Sequence, residues 1–161
     1  MKQIFIDVET TGLSLKKSKV KELGFIYFLN GKKIRSENII YKDENSIYNA
    51  FLSFLNSVID PYDPDDKAYF IAYNSSFDFE IVRNMFLRQK NKFFNSYFKS
   101  HSICVMHRAL YVNMTKNLNI SSFKLGEVCK FFKIDVDNTK LHGALYDIEL
   151  TYKLYKKLQK K

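Results

Sequence analysis

The chain has 161 residues, enough for one domain whose core needs no disulfide or metal staple. Its 26 Lys and Arg against 17 Asp and Glu leave a formal charge of +9, a field that draws polyanions, so nucleic acid and anionic membranes are the candidate partners. Hydrophobic content of 46% and aromatic content of 16% exclude disorder, two cysteines exclude a disulfide scaffold, and no run of 18 apolar residues is present to cross a membrane.

Residues 3–9 place Ile4, Ile6 and Val8 on one face, as a strand does, and that strand stops at Thr10-Thr11-Gly12. Asp7 comes too early for a signal-peptide apolar stretch. A soluble, cytoplasmic protein is expected, with Cys104 and Cys129 as reduced, partly buried thiols. A second strand over 23–29 passes through Asn30-Gly31, the strongest short hairpin signal, into a third over 32–41, which makes an antiparallel meander. Ile47, Phe51, Phe54 and Val58 recur at helical spacing over 46–59, and the loop holding Pro61 and Pro64 stops that helix. Residues 68–73 read as a buried strand that runs directly into a helix, with N-cap residues in Asn74-Ser75-Ser76 and Ile81, Val82, Met85 and Phe86 on its apolar face. A strand over 97–105 leads into a helix near 106–111, and Ser122 opens a short helix bearing Leu125, Val128, Cys129 and Phe132. The last helix, over 144–158, keeps Ile148, Thr151, Tyr155 and Leu158 in register. Hairpin strands followed by strand-helix units predict a single α/β domain over 1–161, with a mixed sheet and helices on its faces.

Asp7 and Glu9 are two residues apart on a strand, so both side chains leave the same face near its end. Two such carboxylates repel, and a hard divalent cation relieves the repulsion. Asp78 and Asp147 each fall in the first turn of a helix, where the macrodipole favours negative charge by roughly 0.3–1 kcal/mol, so neither acid alone requires a functional role. His142 precedes Asp147 by five residues, about 140° apart on a continuous helix, and Gly143 follows it. The histidine is therefore expected on a mobile loop ahead of the helix, where it suits a proton acceptor beside fixed carboxylates. An Asp-x-Glu triplet arises by chance about once in two chains of this length, and adding Thr10 and Gly12 lowers that to on the order of 10⁻³.

Asp7-Val8-Glu9-Thr10-Thr11-Gly12-Leu13, then Asn74-Ser75-Ser76-Phe77-Asp78, then His142-Gly143-Ala144-Leu145-Tyr146-Asp147 closely resemble, in that order, the three motifs of the DEDDh family of 3′-5′ exonucleases. Within it, the proofreading epsilon subunits of bacterial DNA polymerase III are the most similar, and the likeness runs from the first strand to Leu158. The resemblance implies a ribonuclease H-like fold, a mixed five-stranded sheet with its first three strands antiparallel, flanked by helices. It implies that Asp7, Glu9, Asp78 and Asp147 hold two Mg²⁺ or Mn²⁺ ions and that His142 is the general base. It also implies that Thr10, Thr11, Gly12 and Leu13, with Asn74 and Phe77, receive the 3′-terminal nucleotide, Leu13 packing on its base. Such a set is chemically coherent, because two hard cations lower the pKa of an attacking water and stabilise an in-line phosphoryl transition state.

The implied activity is phosphodiester hydrolysis at single-stranded or frayed 3′ ends of DNA, of proofreading or repair type, releasing nucleoside 5′-monophosphates. The alternatives are an RNA-processing exonuclease of the ribonuclease T or oligoribonuclease type, or a non-catalytic nucleic-acid or polymerase-binding module. Tyr73 stands where many relatives carry a histidine. Few residues follow the last helix, so association with a DNA polymerase is expected to lack a tethering segment. Lys16, Lys17, Lys19 and Lys21 are candidates for phosphate contact along the incoming strand, and Tyr73 and Phe77 for base stacking. Phe51, Phe54, Phe86 and Phe132 read as core, and His101 and His107 as structural or solvent-facing. The lysine-rich stretches make no amphipathic helix with a large apolar face, so no membrane role is expected.

Overall fold

In the computed structural model, which describes residues 1–159, β1 (Lys2–Thr10), β2 (Val20–Leu29) and β3 (Lys32–Ile40) form an antiparallel meander. Helix α1 (Glu44–Val58) leads to β4 (Ala68–Ala72), which pairs parallel to β1. Then follow α2 (Ser75–Arg88), the short α3 (Phe94–Tyr97), β5 (Ile103–Cys104), α4 (Val105–Lys116), α5 (Leu125–Phe131) and α6 (Ala144–Gln159). The sheet order is β3-β2-β1-β4-β5, with β5 parallel to β4. This is the mixed five-stranded arrangement, antiparallel over its first three strands, that the motifs imply. The hairpin turn has positive φ at both Asn30 (50°) and Gly31 (81°), the backbone that an Asn-Gly turn supplies.

Helices cover both faces of the sheet, so the central strand is apolar on both sides. Ile4, Ile6 and Val8 of β1, with Leu23, Phe25 and Tyr27 of β2, face α1, α2 and α3 in one core. Phe5, with Ile26, Phe28 and Ile71, faces α4, α5 and α6 in the other. Each fully buried phenylalanine contributes roughly 1.5–3 kcal/mol, and the rings also fix element positions: Phe25 stacks on Phe54 of α1 at 4.0 Å, while Phe5 meets Tyr152 and Tyr155 of α6 edge-on at 5.3 and 5.2 Å. Asp7 and Glu9 share the parity of Phe5, so the alternation that builds the second core also turns both acids toward α6.

The loop between β1 and β2 is tied down by polar contacts, the first of them buried. Glu44, at the start of α1, accepts the Val20 N–H at 2.8 Å and binds Arg88 of α2 in a fork, at 2.6 Å from Nη2 and 2.8 Å from Nε. Asn84 of α2 donates to the Leu15 carbonyl at 3.0 Å.

Several boundaries differ from the sequence reading. Helix α1 starts at Glu44 because Asp43, two residues earlier than expected for a cap, accepts the Ser46 N–H. The strand expected over 97–105 is only Ile103–Cys104: Phe94 to Tyr97 coil into a helical turn that buries Phe94 and Tyr97 against Phe86, and Phe98 makes one isolated bridge to Ala68. Helix α4 runs on to Lys116 and stops where Asn117 turns left-handed. Ser122 does not cap α5, which begins after an extended Lys124.

Arg88→Ala strips the partner from a carboxylate that stays buried and should cost about 3 kcal/mol. The cost would be read as a lower urea midpoint at pH 7, with Arg88→Lys recovering only part because it lacks the fork. An unchanged midpoint would mean that Glu44 is satisfied without its cation.

Candidate active site

The carboxyl end of β1 carries the first two acids. In the antiparallel register Asp7 lies opposite Gly24 and Glu9 opposite Glu22, and the pairing slips by one residue between Glu9 and Thr10. That irregularity ends regular pairing and frees the chain to turn away as a loop.

Asp78 arrives from the other core. Strand β4 pairs with β1 only as far as Phe5 with Ile71, so the Val8 N–H lies beyond it. The chain turns at once into α2, and Asp78 Oδ1 accepts that N–H at 3.2 Å. The bond brings a first-turn helix acid to the end of the strand that bears Asp7 and Glu9.

Asp147 is placed by the seat of α6. A Cβ on Gly24 would lie 2.7 Å from the Ala144 carbonyl carbon and 2.8 Å from the Leu145 nitrogen, so the first turn of α6 rests directly on the bare backbone of β2. His142 is off the helix, as expected, in a left-handed conformation at φ 69°, and its backbone N–H donates to Asp147 Oδ2 at 3.3 Å. Such a backbone costs of order 1–3 kcal/mol and persists where its surroundings enforce it. Glu9, His142 and Asp147 each offer a ligand atom, all within 4.8 Å of one another.

The electrostatics follow from this crowding. Burial first, then Asp78, Asp147, Glu9 and Glu22, push Asp7 well above the usual carboxylate range. Burial drives Asp78 up to about 7 against the hydrogen bond from Val8. Glu9 is raised by burial and Asp147, with His142 opposing, and Asp147 by burial, against the His142 N–H. Asp147 Oδ1 is buried with no hydrogen-bond partner. An orphaned carboxylate oxygen among acids that resist ionisation fits a hard divalent cation, whose charge would reverse these shifts.

The remaining candidates flank this cluster on two segments. Thr10 Oγ1 donates to the Gly12 carbonyl at 2.6 Å, and Thr11 and Lys19 exchange hydrogen bonds of 3.0 Å across the loop. Leu13 stands 87% exposed at the tip. Asn74 precedes α2 without a side-chain cap bond and is exposed, and Phe77 is half-buried in the same first turn as Asp78. Lys16, Lys17, Lys19 and Lys21 are exposed, as are His101 and His107. Tyr73 is no stacking surface: it is buried in the second core and its hydroxyl donates to the Phe123 carbonyl at 2.6 Å. Sequence reasoning passed over Glu22. Its parity with Gly24 was visible, but nine loop residues separate β1 from β2 and no turn signal set the register that brings it opposite Glu9.

A family model, RNase_H_2 of the RNase_H superfamily, matches residues 4–161. Among solved structures, E. coli exonuclease I in complex with a dT13 oligonucleotide is similar at a TM-score of 0.71 and 19% identity, over 99% of this chain and 41% of that one. The zinc-bound form of the E. coli exonuclease I–ssDNA complex gives 0.71 and 18%, over 99% and 40%. A moderately thermophilic exonuclease I from Methylocaldum szegediense gives 0.76 and 13%, over 99% and 40%. The chain spans about two fifths of the length of these proteins, and at such identities the likeness is one of fold. No curated protein matches the sequence. Among the described residues, no helix is long and apolar enough to cross a membrane.

The raised Asp78 has a consequence for the metal-free fold. A carboxyl lifted from 3.8 to about 7 lends stability that is full below its unfolded value and is lost as pH rises through its folded one. Asp78→Asn keeps an acceptor for the Val8 N–H and removes the charge. With chelator present, the variant should be more stable than wild type at pH 8, by up to about 4 kcal/mol, and equal to it near pH 4. Thermal unfolding at both pH values measures this, and the same difference at the two would count against an upward-shifted Asp78.

Proposed function

The chain belongs to the RNase H superfamily, and from that premise we propose that it is a metal-dependent 3′-5′ exonuclease domain acting in the cytoplasm on single-stranded or frayed 3′ ends of DNA. What carries the reading is the gathering of Asp7, Glu9, Asp78, Asp147 and His142 at the end of β1, from elements 140 residues apart in sequence at their extremes. Asp7, Glu9, Asp78 and Asp147 would hold two Mg²⁺ or Mn²⁺ ions, which would supply Lewis acidity to the phosphodiester and acidify a water. His142, beside Glu9 and Asp147, takes the proton of the attacking water.

Thr10, Thr11, Gly12 and Leu13, which follow Glu9 in the chain, and Asn74 and Phe77, which precede Asp78, would receive the terminal nucleotide. Leu13 offers its exposed apolar side chain to a base, and the exposed lysines that follow it meet phosphates by a sequence-independent attraction. DNA is favoured because structural neighbours are exonuclease I in complex with dT13 and with ssDNA. Proofreading beside a polymerase and repair are the two settings that suit this activity. An RNA-directed exonuclease is the second reading, since the same five side chains act on the phosphate and not on the sugar.

Digestion of matched 5′-labelled DNA and RNA oligonucleotides with Mg²⁺ and with Mn²⁺ should give a ladder shortening from the 3′ end, faster on DNA. Asp7→Ala and Asp147→Ala should each remove the activity while circular dichroism stays unchanged, and undiminished digestion by either variant rejects the proposal. His142→Ala should slow turnover by about 10²–10⁴-fold and still bind Mn²⁺ in a calorimetric titration.

A further inference from the structure

Helix α6 begins without a capping side chain of its own. The three residues before it are Leu141, His142 and Gly143, none of which carries the short oxygen-bearing side chain that usually accepts a first-turn N–H. The acceptor instead comes from across the fold: Glu22 Oε1 takes the Ala144 N–H at 2.9 Å, over a separation of 122 residues. Asn38 of β3 braces the same oxygen through Nδ2 at 3.0 Å. Glu22 and Gly24 share a face of β2, so the two residues act on one contact, the glycine admitting the helix and the carboxylate binding its first N–H.

We propose that Glu22 is a positioning residue of the site: by holding the Ala144 N–H it pins the first turn of α6 to β2 and thereby sets where Asp147 and His142 stand relative to Asp7 and Glu9. A carboxylate here also lies favourably at the positive end of the helix dipole. The placement has a cost, because Glu22 is directly opposite Glu9 and like charges so paired destabilise a sheet. A neutral apolar residue at 22 would lift the repulsion and lose the anchor with it. Glu22 is not among the residues whose ligand atoms cluster within 4.8 Å, which are Glu9, His142 and Asp147; its charge also repels Asp7, Glu9 and Asp147, and Glu22→Gln separates that repulsion from the hydrogen bond that holds the helix.

The consequence for metal and turnover rests on the exonuclease reading, whereas the anchor itself can be tested in metal-free protein. Amide hydrogen exchange followed by NMR should show the Ala144 amide and the rest of the α6 first turn exchanging about 10-fold faster or more in Glu22→Ala, with α4 and α5 unchanged. Glu22→Gln, whose amide oxygen accepts the same bond, should exchange like wild type. In Mn²⁺ titrations, Glu22→Ala and Gly24→Ala, two different lesions of one contact, should each weaken binding about 10-fold or more, and Glu22→Gln should stay within about 3-fold of wild type. On an oligonucleotide, Glu22→Ala should lower kcat with KM little changed. Wild-type exchange and wild-type Mn²⁺ affinity in Glu22→Ala would overturn the proposal, as would a Glu22→Gln variant as damaged as Glu22→Ala, which would make charge and not the hydrogen bond the operative property. A wild-type protein that binds no Mn²⁺ and digests nothing, while Ala144 still loses protection in Glu22→Ala, would reject the exonuclease reading and leave the anchor standing.

Discussion

At Gly24 the sheet offers α6 bare backbone, and any side chain there would drive a carbon to 2.7 Å from the Ala144 carbonyl carbon. The first turn of the helix therefore lies nearer to β2 than another residue would allow, and Asp147 inherits its place from that approach. Farther along α6, Phe5 and Phe28 hold Tyr152, the latter stacked at 4.5 Å, so the helix is fixed on the sheet at two levels. A rigid scaffold of this kind lets one helix bring a carboxylate against strand-borne carboxylates that repel it.

That repulsion gives the site its chemistry. The chain as a whole is strongly basic, yet at the end of β1 burial and mutual repulsion leave acids that hold protons more tightly than free carboxylates do. Setting those acids aside, the rest of the surface is more basic still, with exposed lysines close behind Leu13. Long-range attraction for a polyanion and a local excess of carboxylates that a divalent cation would relieve are thus separated along the chain's surface.

Much of this was legible in the sequence, because strand alternation and helix-start chemistry are local. The alternation of Ile4, Ile6 and Val8 gave the parity that turns Asp7 and Glu9 to one face, and Gly143 after His142 marked the break that keeps the histidine off the helix. Contacts set by register and by distant elements were not legible. The α3 turn, whose Phe94 and Tyr97 find Phe86, takes Tyr97 out of the strand expected over 97–105, a tertiary preference that composition does not show. Tyr73 looked available for stacking because its motif position borders the site, whereas its hydroxyl is spent on the Phe123 carbonyl fifty residues away. Glu22 was invisible for the same reason, its importance lying in a bond to residue 144.

Each side chain of the acidic cluster sits where regular structure is left incomplete. Strand β4 stops short of Val8, and the buried N–H left without a strand partner on that side is what Asp78 binds. The ladder between β1 and β2 slips after Glu9, and the loop bearing Thr10 to Leu13 departs there. Gly24 lacks a side chain, α6 lacks a local cap, and His142 occupies a left-handed backbone. A longer β4, a regular register or a capping residue at 143 would satisfy the local backbone, and a Cβ at 24 would fill the helix seat; each would displace one of the clustered acids or its support. The two cores supply the free energy that sustains these interruptions, and because β1 lies between them, with Asp78 anchored in one and Asp147 in the other, loosening either core would spread the acids apart.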